Sequence, residues 1–315
     1  MLQYLSRRLI IAIPSLLGIS VILFTVLALA PGDPFEELAT NPAIPPDVRA
    51  HLRASLGLDD PVYLRYFSWL TAMLRGDWGY SFVSRIPVDQ LILQRLPSTI
   101  AVIGLSQVLA LAIAMPVGVY AATKPYSVFD QVANTLAFIG FSLPTFFIGL
   151  LLLTFVAIKM KLVEIPRFVP LTEDPLAWAQ SLTLPAITLA MVFAASYVRL
   201  TRAYMLETMS EDYIRTARAK GVKESVVIRK HGLRAALTPI VTAAGMDLGG
   251  LLGGAVITEQ VFGFRGLGYT AVRAIDTTDL PVIVGIVIVA STFVVIANLV
   301  VDILYGVIDP RVRLT

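Results

Sequence analysis

The chain has no cysteine and only two histidines, His51 and His231. Without a thiol there is no disulfide and no thiolate nucleophile or metal ligand. The topology derived below puts the histidines on opposite sides of a membrane, so they cannot share a metal ion. Charge is also scarce: 15% of the residues are Asp, Glu, Lys or Arg, against roughly 25% in soluble domains. There is no G-x-x-x-x-G-K-[ST] phosphate loop, and no H-E-x-x-H, Ser/His/Asp set or pair of acids within an apolar run that would suggest an embedded hydrolase. What the chain does have is apolar surface, with 57% hydrophobic residues and a mean hydropathy of +0.78 over 315 residues. This composition is that of an all-α polytopic membrane protein. The net charge of +3 does not point to nucleic acid, because most of the basic residues lie beside the apolar runs.

Six apolar segments stand out, at about 9–30, 98–122, 131–158, 182–201, 237–258 and 282–304. About 20 residues of helix span the hydrocarbon core, and a helix satisfies its own backbone there. Arg7 and Arg8 precede the first run as in a signal peptide, but Leu9–Ala30 is longer than the roughly 7–15 residues of a signal core. It is expected to remain as the first span. Six spans place both termini on one side. That side carries 14 Lys and Arg, whereas the other carries 5 once the long 31–97 segment is set aside. The positive-inside rule, which discounts loops of more than about 60 residues, then makes the termini cytoplasmic. The expected organisation is residues 1–30 as the N-terminus and first helix, an extracytoplasmic insertion over 31–97, and a membrane core over 98–315 that includes a basic loop at 202–236. Within the insertion, Pro31-Gly32-Asp33-Pro34 and Pro45-Pro46 are turn signals. Asp47 opens a helical stretch to Leu56, and Tyr63–Leu74 reads as an amphipathic helix.

The 202–236 loop is the most informative segment. A turn between spans needs a few residues, and this one uses about 35, in a helical pattern. Ser210 is placed to cap a helix, with Glu211 and Asp212 near its positive end. Tyr213, Ala217 and Gly221 then share one face, where the two small residues leave a shallow dent. Arg215, Arg218 and Lys220 project around the remainder, and Gly221 suits the helix end. A second helix is expected from about Lys223 to Ala236, with Pro239 opening the next span. A soluble, ordered loop of this kind is a docking surface.

The run YIRTARAKGVKESVVIRKHGLRAALTPIVT resembles the cytoplasmic coupling motif of permeases in binding-protein-dependent ABC importers. That motif runs Glu-Ala-Ala, three residues, then Gly; here Arg215-Thr216-Ala217 is followed three residues later by Gly221. Arg215 and Thr216 depart from the general pattern, as does Leu233-Arg234, where Leu-Pro is usual. Thr216–Gly221 instead reads Thr-Ala-Arg-Ala-Lys-Gly, as in the dipeptide, oligopeptide and nickel branch. PGDP (31–34), LGLDDP (56–61), RGDWGYSF (75–82), VFGFRGLG (261–268), TTDLP (277–281) and LYGVIDPRVR (304–313) are similar to that branch as well.

The resemblance implies a permease subunit of the bacterial plasma membrane that works with a second, paralogous permease, two ATP-binding subunits and an extracytoplasmic binding protein. The chain itself would bind no cofactor and would not be an enzyme; ATP and magnesium would sit on the partners. Its 211–221 helix would enter a groove on an ATPase subunit, with Tyr213, Ala217, Arg218, Lys220 and Gly221 as the coupling residues. The expected cargo is di- or oligopeptides, with nickel, glutathione or oligosaccharide as the alternatives. An ion-coupled transporter, the remaining rival, would favour internal repeats and several buried acids, and neither is visible. Within the spans, Gly245, Gly249 and Gly253 recur at an interval that allows close helix approach, inside the subunit or between subunits. Asp247 lies among them. A carboxylate in hydrocarbon costs several kcal/mol by the usual scales, so it either lines the pathway or pairs with a neighbouring helix. Pro116 and Pro144 are expected to bend their spans.

Overall fold

The computed structural model describes residues 2–29, 46, 60–164 and 168–308. PGDP, the first four residues of LGLDDP, the helical stretch from Asp47 and the last five residues of LYGVIDPRVR therefore lie outside the described residues. Among those described there is no strand, only an isolated antiparallel bridge between Tyr80 and Pro87. The helices are α1 (Leu2–Leu29), α2 (Val62–Leu74), α3 (Val88–Thr123), α4 (Val128–Ser142), α5 (Thr145–Leu152, continued by a π-helical segment Leu153–Lys159), α6 (Pro175–Met209), α7 (Asp212–Ala219), α8 (Glu224–Val226, continued by a π-helical segment Val227–Leu233), α9 (Arg234–Phe262), α10 (Leu267–Asp276) and α11 (Leu280–Ile308).

Val88–Thr123, Pro175–Met209 and Leu280–Ile303 are each long and apolar enough to cross a membrane. Ile10–Val26 is a shorter apolar helix. The third expected span, 131–158, is not one straight rod: α4 and α5 meet at a bend of 101°. Leu143 is extended (φ −84°, ψ 131°) and Pro144 precedes α5. A residue before proline is sterically driven out of the helical region, which ends α4 at this point. Pro116, by contrast, lies inside the continuous helix α3.

The chain forms two compact units. One holds Pro97–Tyr269 and the chain from Ile296 onward. Its centre is a seam of small residues, Ala110, Ala114, Ala137, Ala190, Ala194 and Ala244, closed around Tyr197. Small side chains let helices approach at backbone distance, which is how spans associate where lipid offers no hydrophobic drive. At one end of α9 the chain turns sharply at Gly263 (φ +61°). Glu259, 1% exposed, accepts hydrogen bonds from the Thr99 hydroxyl (2.6 Å) and the Tyr269 amide (2.8 Å). Thr99 in turn accepts from the Leu267 amide at 2.8 Å. The first amides of α10, which no helical carbonyl can reach, are thus satisfied by side chains distant in sequence. A Cβ at Gly266 would stand 2.1 Å from Glu259 Oε1. The glycines of VFGFRGLG let the loop wrap this carboxylate.

The other unit holds Leu5–Leu96 and Thr270–Val295. Here α2 lies on α1 through Tyr66 and Trp69, whose rings are 5.6 and 5.7 Å from that of Phe24, and through a 2.9 Å hydrogen bond between Ser20 and Tyr66. Two of the sequence segments singled out above meet. The Ser81 hydroxyl donates to Asp279 Oδ2 at 2.6 Å, and the Val83 amide donates to the same oxygen at 3.3 Å. Gly79 (φ +81°) sits with its Cα side on Pro281, and Gly285 makes room for Val88 and Ile92. RGDWGYSF and TTDLP therefore build one junction.

Candidate coupling site and membrane polar sites

The loop between α6 and α9 folds around its own small core. Ile214 and Val227 are fully buried, and Ala217 is 8% exposed. Met209 and Val222 close the cluster. Ser210 does not start α7. It ends α6, with its hydroxyl donating to the Glu207 carbonyl at 2.6 Å, and Glu211 occupies the position before α7. At the far end Gly221 adopts φ +74°. The Gly221 amide donates to the Arg218 carbonyl and the Val222 amide to that of Ala217, at 2.9 and 3.3 Å. This double bond pattern, with Val222 against Ala217, is a Schellman stop. Arg218 then clamps the turn from outside, its guanidinium donating to both oxygens of Glu224 at 3.1 and 2.7 Å. The bond to Arg218 holds the Glu224 carboxyl below its ordinary range. Both partners are well exposed, so the pair is worth little in stability; it fixes direction.

The expected dent on α7 is therefore filled from within. Ala217 faces inward and allows α7 to lie close to the 227–233 segment. Tyr213 is 45% exposed, and Arg215, Thr216, Ala219, Lys220 and Gly221 are exposed with it. The free face of α7 is thus polar and basic with one aromatic ring. Past Gly221 the expected second helix appears as Glu224–Val226, a π-helical segment and α9, so Pro239 lies inside a helix rather than at its start. A Cβ at Gly232 would come within 2.8 Å of Met209 Sδ, which locks this segment to the end of α6.

Two turns back along α6, Arg202 meets Asp130 at the start of α4. Asp130 is 2% exposed. It accepts from Arg202 through both oxygens (Nη2 to Oδ2, 2.7 Å), from the Tyr126 amide (2.9 Å) and from Asn134 Nδ2 (2.6 Å). The Ser127 hydroxyl caps α4, accepting from the Asp130 amide at 3.2 Å. The Arg202 hydrogen bonds hold the Asp130 carboxyl below the usual carboxylate range, against the opposing effect of burial.

Within the spans, Gln107 Nε2 donates to the Tyr197 hydroxyl oxygen (3.1 Å) and to the Ala244 carbonyl (3.2 Å). Tyr197 is fully buried, and its hydroxyl is also within 3.3 Å of Gln107 Oε1; Asp247 is half-buried. Within the subunit the glycines of α9 do not share one contact. Gly245 is pressed against Val301 of α11, where an added Cβ would stand 2.0 Å from Val301 Cγ2, while a Cβ at Gly253 would meet nothing within 4 Å. Gly249 lies between them, half-buried. Pro144 is at the α4–α5 bend, away in sequence from both sites.

Two family models match almost end to end. Residues 114–314 match the binding-protein-dependent transport system inner membrane component, and residues 1–103 match the N-terminal part of such membrane components. This chain is an inner-membrane permease of that ABC importer family. The permease is 39% identical to the dipeptide transport system permease protein DppB of Escherichia coli (strain K12), over 99% of each chain. It is 39% identical to the oligopeptide transport system permease protein AppB of Bacillus subtilis (strain 168), over 99% of this chain and 100% of that one. It is also 39% identical to the glutathione transport system permease protein GsiC of Salmonella choleraesuis, over 99% of each. Among solved structures, a chain of the MetNI methionine ABC transporter in an inward-facing conformation superposes with a TM-score of 0.57 at 20% identity, covering 70% of this chain and 97% of that one. That likeness establishes the fold of the permease core.

Sequence reasoning missed Asp130, Arg202, Tyr197, Gln107 and Glu259. A signal existed for the first: Ser127-x-x-Asp130 has the spacing of a helix start box. Nothing local pairs it with Arg202.

Proposed function

We propose that this permease forms half of the translocation pathway of an ATP-driven peptide importer. The observation that carries this reading is the 39% identity, over essentially the whole length of both chains, to a dipeptide and an oligopeptide permease. Six spans enclose too little space for a peptide, so a second, paralogous permease completes the path. Two ATP-binding subunits carry ATP and magnesium, and a binding protein delivers cargo from outside. The termini and the 202–236 loop face the cytoplasm, and 31–97 faces out.

The geometry supports a lever. Through Tyr213, Lys220 and the surface around Gly221, α7 seats on an ATPase subunit. Its inner face is fixed to Met209 and Val227, so closure of the ATPase pair moves α6 and α9 with it. Arg218 acts by holding the turn through Glu224, and Ala217 by allowing the close seat. Arg202–Asp130 passes the motion from α6 to α4. Such a two-state element, biased by nucleotide on the partner, is what coupling requires.

The permease, co-expressed with its neighbours and reconstituted in proteoliposomes, is expected to accumulate labelled dipeptide only with ATP, and to stop on ATP depletion with the membrane potential maintained. Accumulation that follows the potential instead would overturn the reading. The equal identity to a glutathione permease makes glutathione, itself a tripeptide thiol, the second cargo to assay.

A further inference from the structure

Helix α2 is inside out for a helix in water. A helix on a water-facing surface turns its charges out and its apolar side chains in. Arg65 is the single charged residue of Val62–Leu74, and it is 9% exposed. The outward stripe is Tyr63, Phe67 and Leu74, which are 63%, 59% and 76% exposed and recur at helical spacing. Thr71 shares that stripe and is exposed with it. Its hydroxyl donates back to the Phe67 and Ser68 carbonyls, at 2.8 and 2.9 Å. A hydroxyl satisfied within its own helix asks nothing of the medium around it, which is what hydrocarbon demands.

The depth of the contacts with α1 agrees. As a helix, the apolar run 9–30 is about 33 Å long, enough to fill a hydrocarbon core of about 30 Å. Phe24, against which Tyr66 and Trp69 pack, lies five residues before the end of α1. Ser20, hydrogen-bonded to the Tyr66 hydroxyl, lies nine residues before it. The middle of α2 therefore touches α1 about 7–13 Å below its C-terminal end. One leaflet of hydrocarbon is about 15 Å deep, half the core. At the same levels α1 itself presents Val21, Ile22 and Val26, all exposed and apolar. The outward stripe of α2 thus continues the lipid-facing surface of a membrane helix.

We infer that α2 is an embedded helix, lying in the leaflet at the C-terminal end of α1 with Tyr63, Phe67 and Leu74 against phospholipid acyl chains. On the sidedness proposed above, this is the outer leaflet. Part of the 31–97 insertion is then in lipid rather than in water. The junction beyond α2 is affected too. The Asp77 amide donates to the Ala72 carbonyl at 3.0 Å, so the chain leaves α2 in a tight turn. Four residues later the Ser81 hydroxyl is bonded to Asp279. An anchored α2 ties that junction to the bilayer.

The chain has no cysteine, so single nitroxide labels can be introduced without removing any other residue. The test uses the permease, purified with its co-expressed neighbours, in phospholipid nanodiscs. Labels go on Phe67→Cys and Tyr63→Cys, with Ile22→Cys on α1 as the reference for lipid and Lys220→Cys as the reference for water. Power-saturation EPR compares relaxation by oxygen, which concentrates in bilayers, with relaxation by a nickel chelate, which stays in water. Both α2 labels are expected to show the oxygen excess of Ile22→Cys. A ratio like that of Lys220→Cys places α2 in water and overturns the inference. Shielding from both reagents places the stripe against protein, a second permease included, and overturns it as well. If Phe67→Cys does not assemble, Tyr63→Cys decides. Labelling of Lys220→Cys from outside whole cells would sink the proposed sidedness and move α2 to the inner leaflet, leaving the helix in lipid.

Discussion

Gly221 bears more of the argument than its size suggests. Its φ of +74° is one that a side chain resists, yet a Cβ there would touch nothing within 4 Å. The cost of substitution is thus strain, not collision. Gly221→Val is expected to lose about 1–2 kcal/mol for the forced left-handed residue and to abolish uptake while leaving membrane insertion intact. Gly221→Asn, which tolerates that conformation, is expected to keep wild-type thermal stability. Thermal unfolding beside uptake separates the conformational demand from close approach to a partner. Asp130 makes a second case at this scale. Its folded carboxyl titrates below the ordinary 3.8, so the stabilisation it gives is complete above the unfolded value and disappears as pH falls through the lower, folded one. Asp130→Asn leaves Arg202 without its partner and is expected to cost about 3–5 kcal/mol. The wild type should lose stability on acidification below about pH 4, and the variant should show no such step. A matching acid step in both would remove Asp130 as the source.

For the elements, lipid made the sequence easy to read. An apolar run of about 20 residues has few other uses, and three of the runs fall on helices long enough to cross, or four if the bent α4–α5 pair counts as one. Other features were hidden, each for a physical reason. Pro144 and Pro116 are the same residue, and only the neighbours decide that one ends a helix and the other does not. Ser210 sits where two helices meet within two residues, so one hydroxyl is chemically suited to either end. Glycines spaced by four drift about 40° per step around a helix, so Gly245 and Gly253 look in different directions despite their matching intervals. Asp130 and Arg202 are 72 residues apart, and charge alone gives no register for such a pair. The small core under α7 follows from the buried positions Ile214 and Val227. Ile214→Ala is expected to cost about 2–5 kcal/mol locally. Hydrogen exchange over Asp212–Ala219 should then quicken, with the spans unchanged and uptake reduced. Unaltered exchange would mean that α7 is held by something else.

At the scale of the molecule, the importer family and the helical membrane core were legible from motif order, and the comparisons establish both. Lys and Arg alone point to the sidedness of the membrane. It makes a direct prediction: a cysteine introduced at Lys220, in a chain that has none of its own, should react with an impermeant maleimide only from the cytoplasmic face. Labelling from outside whole cells would invert the topology and with it the lever. The inward seat of Ala217 carries one last consequence. The hidden side of α7 is committed to its own loop, and the visible side is not. On the coupling reading proposed above, two importers in one cell would share the same hinge yet keep separate motors, their fidelity written in a few outward side chains.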